Sequence, residues 1–170
     1  MLPKSYRVFK WVVYAIATLL LCALQSLIGD NVRVLGVSPF LFPMLPAVVA
    51  MFEGTRPGAV FGLVLGILCD LLAPAPFRGF FSISFPAAAV LAGGIASRLL
   101  SRGFLCALVV SSAGLLTVCA FRMAVQILSG GQYLGLMARI SLEETLLTLP
   151  AVLVVLPVYR TVFRKCAADY

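Results

Sequence analysis

The stretch GAVFGLVLGILCDLLAPAPFRG, residues 58 to 79, decides how this chain is read. Gly58, Gly62, Gly66 and Asp70 recur at every fourth position, so on a helix they share one slowly drifting face. Small residues at this spacing let a second helix approach closely in a bilayer, where packing drives association. The face is therefore predicted to turn toward protein, and Asp70 with it. A carboxylate there needs a partner or a water-filled cavity. Pro74, Pro76 and Gly79 mark a turn just beyond it.

The surroundings of this stretch set the class. Hydrophobic residues make up 62% of the 170 positions and charged residues 11%, with a mean hydropathy of +1.11. Soluble domains hold about 45–50% apolar residues, so an integral membrane protein is expected. At about 20 residues per span, the chain has room for about six and little else. The prediction is an all-α, polytopic six-helix bundle forming one membrane domain over residues 1–170, with spans near 11–28, 36–52, 58–73, 80–97, 104–128 and 141–159. Pro39, Pro43 and Pro46 remove backbone donors from the second span and are expected to bend or break its outer half, a kink absorbed by neighbouring helices being the simpler outcome. The first segment follows Lys4, Arg7 and Lys10, as a secretory signal does, but shows no small-residue cleavage site. The LLLC ending at Cys22 carries Leu21 where a lipoprotein signal has a small residue. A retained first span is expected.

The formal net charge is +7, with basic residues scattered between apolar runs and not gathered into the stripe a nucleic acid would need. With the amino terminus inside, nine basic residues (Lys4, Arg7, Lys10, Arg56, Arg98, Arg102, Arg160, Arg164 and Lys165) fall on the inner side, against Arg33, Arg78 and Arg139 outside. That bias predicts both termini in the cytoplasm.

The remaining ionisable residues gather toward the outer half. Asp70 ends span three; Arg122 lies inside span five on a face shared with Gly114, Val118 and Gln126; Glu143 and Glu144 open span six. With Arg78 and Arg139 they predict an outer polar cluster. An Asp70–Arg122 ion pair is its specific expectation, Glu144 being the competing partner for Arg122. The two glutamates also suit the start of a helix, whose dipole favours acids. In the inner loop EGTRPG, residues 53 to 58, Glu53 and Arg56 offer a local pair or a partner contact, a solvated turn being the commoner arrangement.

Enzymatic chemistry finds little footing. The chain has no histidine, so Ser-His proteolysis and HExxH zinc chemistry lack a base or ligand. Aspartyl chemistry needs two carboxylates in one site, and Asp70 is the only Asp within a predicted span. GAVFGLVLG lacks the Lys-Ser/Thr ending of a phosphate-binding loop. Cysteines 22, 69, 106, 119 and 166 form no CxxC pair and read as apolar packing residues, and Cys166 stands one place too early for a prenylation box. No cofactor or metal is expected.

The segment PGAVFGLVLGILCDLLAPAPFRGFFSISFPAAAVLAGG, residues 57 to 94, resembles the rod-shape-determining MreD family: a glycine-spaced helix ending in Asp-Leu, a short turn, then Gly and an apolar helix. Through that resemblance Gly62, Gly66, Asp70 and Gly79 correspond to the family's recurring central pattern. The resemblance implies a scaffold in the bacterial inner membrane, beside the bitopic protein MreC, coupling MreB filaments to the peptidoglycan synthases of cell elongation. Arg98, Arg102, Arg160, Arg164 and Lys165 would then face filaments or anionic lipid, each contributing about 1 kcal/mol near a charged surface. Gly58, Gly62, Gly66, Asp70, Gly79, Arg122, Gln126 and Glu144 are the residues expected to hold the bundle or a partner.

The resemblance also implies a fold similar to the substrate-binding subunits of energy-coupling-factor vitamin transporters. Such a subunit is the alternative reading, with Asp70, Arg122, Gln126 and Glu144 lining an outward-open vitamin pocket. Against it, the first span has no clean small-xxx-small repeat, since Ala15 meets Leu19 and Ala17 meets Leu21, and the outer loops are short. A proton-coupled carrier is disfavoured by the lone intramembrane carboxylate. The small residues Ala89, Gly93 and Ser97 leave pairing with a second copy open.

Overall fold

The computed structural model describes residues 4–31, 40–72, 76–98, 103–130 and 134–168. Among these residues seven α-helices follow one another: α1 (Lys4–Asn31), α2 (Met44–Glu53), α3 (Thr55–Leu72), α4 (Phe80–Arg98), α5 (Phe104–Leu128), α6 (Leu134–Thr148) and α7 (Val152–Ala168). No strand occurs among the described residues. Four stretches of the described residues are long and apolar enough to cross a membrane: Thr55–Leu72, Phe80–Arg98, Phe104–Leu128 and Ala138–Arg164, the last running through α6 and α7. Two further apolar stretches, Phe9–Gln25 and Met44–Glu53, are shorter. Arg33, Pro39 and Arg102 lie outside the described residues, as do the side chains of Lys4, Arg7, Lys165 and Cys166.

The second expected span is the one the structure changes most. Instead of a kinked rod over 36–52, the helix begins only at Met44. Its ten residues extend about 15 Å, half the roughly 30 Å of a bilayer's hydrocarbon. Pro43 is its N-cap and Pro46 lies in its first turn, where a missing donor costs no intrahelical bond. The preceding backbone is anchored by distant side chains: Phe40 N–H donates to Thr148 Oγ1 at 3.1 Å and Leu41 N–H to Gln25 Oε1 at 3.0 Å. Met44 and Leu45 donate to the carbonyls of Leu41 and Phe42. Non-helical backbone is tolerated at membrane depth where protein supplies such partners. Every residue from Met44 to Phe52 is buried, because α2 packs against α3, α4, α5 and α7 at once.

Gly54 is the single residue joining α2 to α3. Its φ of +99° permits the reversal, and its N–H closes on the Ala50 carbonyl at 3.0 Å. The glycine face of α3 then serves two neighbours. A Cβ on Gly58 would strike Ala50 of α2; on Gly62 it would stand 2.9 Å from the Phe85 carbonyl oxygen; on Gly66 it would strike the carbonyl of Phe81. Backbone approach of this kind gives α3 and α4 their extensive interface. Gly114 does the same for α5, where a Cβ would come within 2.9 Å of Ala47.

The face containing Ala89, Gly93 and Ser97 is not spare. Ala89 is fully buried and Gly93 packs on Thr55, whose side chain blocks any added Cβ, so only Ser97 is exposed. The fold's own closure consumes the surface that was left open to a second copy.

The sixth expected span is longer than 141–159 and interrupted. Its helical path runs from Leu134 to Ala168 and passes through a 3-10 turn at Leu149–Ala151. Pro150 explains the break, since it cannot donate into the α-helical ladder. α7 returns to α1, and Lys10 lies over the Phe163 ring at 5.7 Å. The beginning of α1 and the end of α7 thus share one end of the bundle.

Candidate functional site

Asp70 sits in the last turn of α3 and is directed at the first turn of α4. Phe81 N–H donates to its Oδ1 at 3.0 Å, Ser82 N–H to its Oδ2 at 2.9 Å, and Ser82 Oγ–H to the same oxygen at 2.6 Å. The start of a helix leaves four backbone N–H groups without intrahelical acceptors. Three of them have partners here: Phe80 donates to the Phe77 carbonyl and the next two to Asp70, after which Ile83 makes the first regular helical bond, to the Gly79 carbonyl. The positive end of the α4 dipole adds to the attraction. Gly79 makes this possible through its backbone: at φ +89° it turns the chain into α4, and a Cβ there would meet nothing within 4 Å.

This corrects the expected Asp70–Arg122 pair. Both oxygens of Asp70 are engaged by the helix that α3 packs against. Arg122 instead donates from Nη1 to Glu144 Oε2 at 2.9 Å, joining α5 to α6. Beside this pair lies a cavity of about 20 Å³, lined by Phe40, Pro43, Val118 and Ser141 among others. That is room for about one water molecule. Gln126, one turn further along α5, is half-buried and does not line it. The outer cluster expected of six residues is therefore three separate features: Asp70 on α4, the Arg122–Glu144 pair, and a surface pair in which Arg139 Nε meets Glu143 Oε1 at 3.0 Å along one helix. Arg78 is exposed.

A double-mutant cycle separates these connections. Arg122→Ala with Glu144→Ala is expected to show a coupling of about 1 kcal/mol, in the range of interhelical hydrogen bonds within bilayers. Arg122→Ala with Asp70→Ala is expected to be additive within about 0.3–0.5 kcal/mol. Unfolding free energies in mixed micelles supply both numbers, and coupling between Asp70 and Arg122 would contradict the geometry.

A further cluster lies at the opposite end, where the sequence offered Glu53 and Arg56 a local pair or a partner contact, or a solvated turn. Glu53 pairs not with Arg56, which is exposed, but with Lys10, 2.5 Å from its Nζ, and it accepts a second bond from Tyr14 Oη–H at 2.9 Å. Tyr14 stacks on Tyr159 with ring centroids 5.7 Å apart, and the Tyr159 hydroxyl lies 2.9 Å from Thr18 Oγ1. Phe52 stacks on Phe163 at 5.3 Å. The last residue of α2 thus ties α1 to the core, and α7 closes over both. One sequence signal pointed here: Lys10, Tyr14, Thr18 and Gln25 form a polar stripe on one face of the otherwise apolar stretch Phe9–Gln25 of α1.

Glu53→Ala is expected to lower unfolding free energy by about 2 kcal/mol, because Lys10 and Tyr14 are left without their shared acceptor in a half-buried position. The double change Lys10→Met with Glu53→Met is expected to recover at least half of that loss, since an apolar pair of similar volume replaces a desolvated ion pair at little cost. Thermal melting of the two variants side by side measures it.

Fold and clusters together define, over the described residues, an all-helical protein with four helices long and apolar enough to cross a bilayer, in which half-buried charges fasten one helix to another. No group of three or more His, Cys, Asp or Glu side chains able to hold a metal occurs among the described residues. Comparison of the chain with family models, with curated proteins and with solved structures finds no match.

Proposed function

We propose that this chain is a non-enzymatic membrane scaffold of the bacterial cell-elongation machinery, acting in the manner of the MreD family that residues 57 to 94 resemble. It lies in the inner membrane with multiple passes and cytoplasmic termini, binds an MreC-type bitopic partner, and couples MreB filaments to peptidoglycan synthases. The observation that carries this reading is the use made of the half-buried charges. Asp70 is engaged by the α4 backbone, and Arg122 and Glu144 by each other, with about 20 Å³ beside them. A vitamin-binding subunit needs a chamber of about 300–1,000 Å³ with polar groups converging on it, and these residues converge on one another. The identity of the partners follows from the resemblance alone.

The orientation is supported by the exposed Arg56, Arg98, Arg160 and Arg164. On the positive-inside pattern these face the cytoplasm, where they attract anionic lipid. The deciding experiment is a gentle-detergent pull-down of the tagged chain from its native membrane, with co-purifying proteins identified by mass spectrometry. Recovery of MreC and elongation synthases is the expected result. Recovery of a coupling subunit with paired ATPases would replace the scaffold with a transporter.

A further inference from the structure

Between α1 and α3 the structure leaves a cavity of about 500 Å³. Ala15, Cys22 and Ala23 form one wall and Leu65, Leu68 and Leu72 the other. Ala15 and Ala23 on α1, with Leu68 and Leu72 on α3, are also exposed at the surface, so the cavity opens sideways from the bundle. One polar side chain on its wall, Thr18, is satisfied internally by the Tyr14 carbonyl and the Tyr159 hydroxyl. At the end nearest Lys10 the slot stops at Phe61, on which Trp11 stacks with centroids 6.5 Å apart.

We propose that this slot holds one acyl chain of a membrane lipid, drawn from the leaflet remote from the Lys10 end. The inference rests on the helices crossing a bilayer and is independent of the scaffold role. An apolar cavity of this kind does not fill with water, and leaving it empty forfeits the dispersion contacts of its walls. What bathes its open side is hydrocarbon. The length fits the same occupant: Phe61 to Leu72 is eleven steps along the helix, about 16 Å at 1.5 Å each, or half of the roughly 30 Å hydrocarbon thickness. A chain entering beside Leu72 reaches the bilayer midplane and stops against Phe61. A partner's transmembrane helix, about 10 Å wide and running the whole thickness, matches neither the length nor the closed end. A polar ligand finds no unsatisfied group on the walls named here.

Trp11 is the single tryptophan of the sequence, which makes it the reporter. The full chain is reconstituted into phosphatidylcholine vesicles whose acyl chains carry bromines either near the terminal methyl or near the headgroup, and Trp11 fluorescence is followed. A seated chain brings terminal bromines to Phe61, beside Trp11, so chain-end bromination is expected to quench at least twofold more than headgroup-side bromination. Ala15→Phe and Ala23→Phe, each filling the slot from an exposed position, are expected to remove at least half of that excess without lowering the melting temperature. Quenching dominated by headgroup-side bromines in the unaltered protein overturns the proposal by itself, whether or not the variants fold. So does chain-end quenching that the filled variants leave unchanged. Loss of a co-purifying polypeptide from the filled variants, with quenching intact, would assign the slot to a partner helix and overturn it too.

Discussion

Gly66→Leu is expected to separate α3 from α4 and to lower the unfolding free energy by about 3 kcal/mol, the upper part of the range for forcing extra atoms into a closed packing site. Even the Cβ of an alanine would strike the Phe81 carbonyl, and backbone cannot rotate away as a side chain can. The damage spreads, because Phe81 is also a donor to Asp70. Moving α4 outward to admit the new atoms pulls that N–H off the carboxylate. Gly62→Ala is expected to be milder, since its added Cβ would stand 2.9 Å from the nearest backbone oxygen. Gly94→Ala is the control: it lies on the exposed side of α4 with nothing within 4 Å. There the better helix propensity of alanine, up to about 1 kcal/mol, should leave stability unchanged or raise it. Thermal melting in one detergent ranks all of these, and a Gly66→Leu protein that melts with the unaltered chain would show that the close approach of α3 and α4 does not hold the fold.

Asp70→Ala is expected to cost about 2 kcal/mol, the upper end for losing a helix cap. Two backbone donors and a hydroxyl lose their acceptor together. Asp70→Asn keeps one carbonyl oxygen and is expected to lose about half as much. Ser82→Ala removes one bond of the three and is expected to lose least, about 1 kcal/mol. Amide hydrogen exchange gives a local reading: Phe81 and Ser82 should exchange faster in Asp70→Ala, while α5 is unaffected. An Asp70→Ala protein with unchanged exchange at those two amides would remove Asp70 from the role of cap. If the chain is a scaffold, partner recovery should fall in step with stability across this series.

The glycine face could be read from the sequence because its period is that of a helix and because glycine in a membrane helix has few uses other than close approach. The direction of Asp70 could not. Register places a residue on a face, but the donors it meets belong to a helix eleven positions later, turned toward it by Gly79 at positive φ. Arg122 had two candidate acids in the sequence; what selects Glu144 is the packing of α6 on α5. The three prolines near α2 announced a disturbance, yet its form depends on Thr148 and Gln25, which stand far away in the chain and receive the freed backbone donors. Glu53 was hidden for the same reason. Its neighbour in sequence, Arg56, suggested a local pair, while its partners in space came from the polar stripe of α1.

The bonds that fasten these helices differ widely in the length of chain they enclose. Asp70 meets its donors across 11 and 12 positions, Lys10 meets Glu53 across 43, and Thr18 meets Tyr159 across 141. Since a chain emerges from the ribosome in order, these distances are also a timetable. The α3–α4 hairpin can close as soon as its second helix has emerged. The polar stripe of α1 waits for α2 to supply Glu53, and then through four more helices for the hydroxyl of Tyr159. A nascent chain halted before α7 therefore carries Thr18 without the Tyr159 hydroxyl, and α7 is the helix that closes over α1.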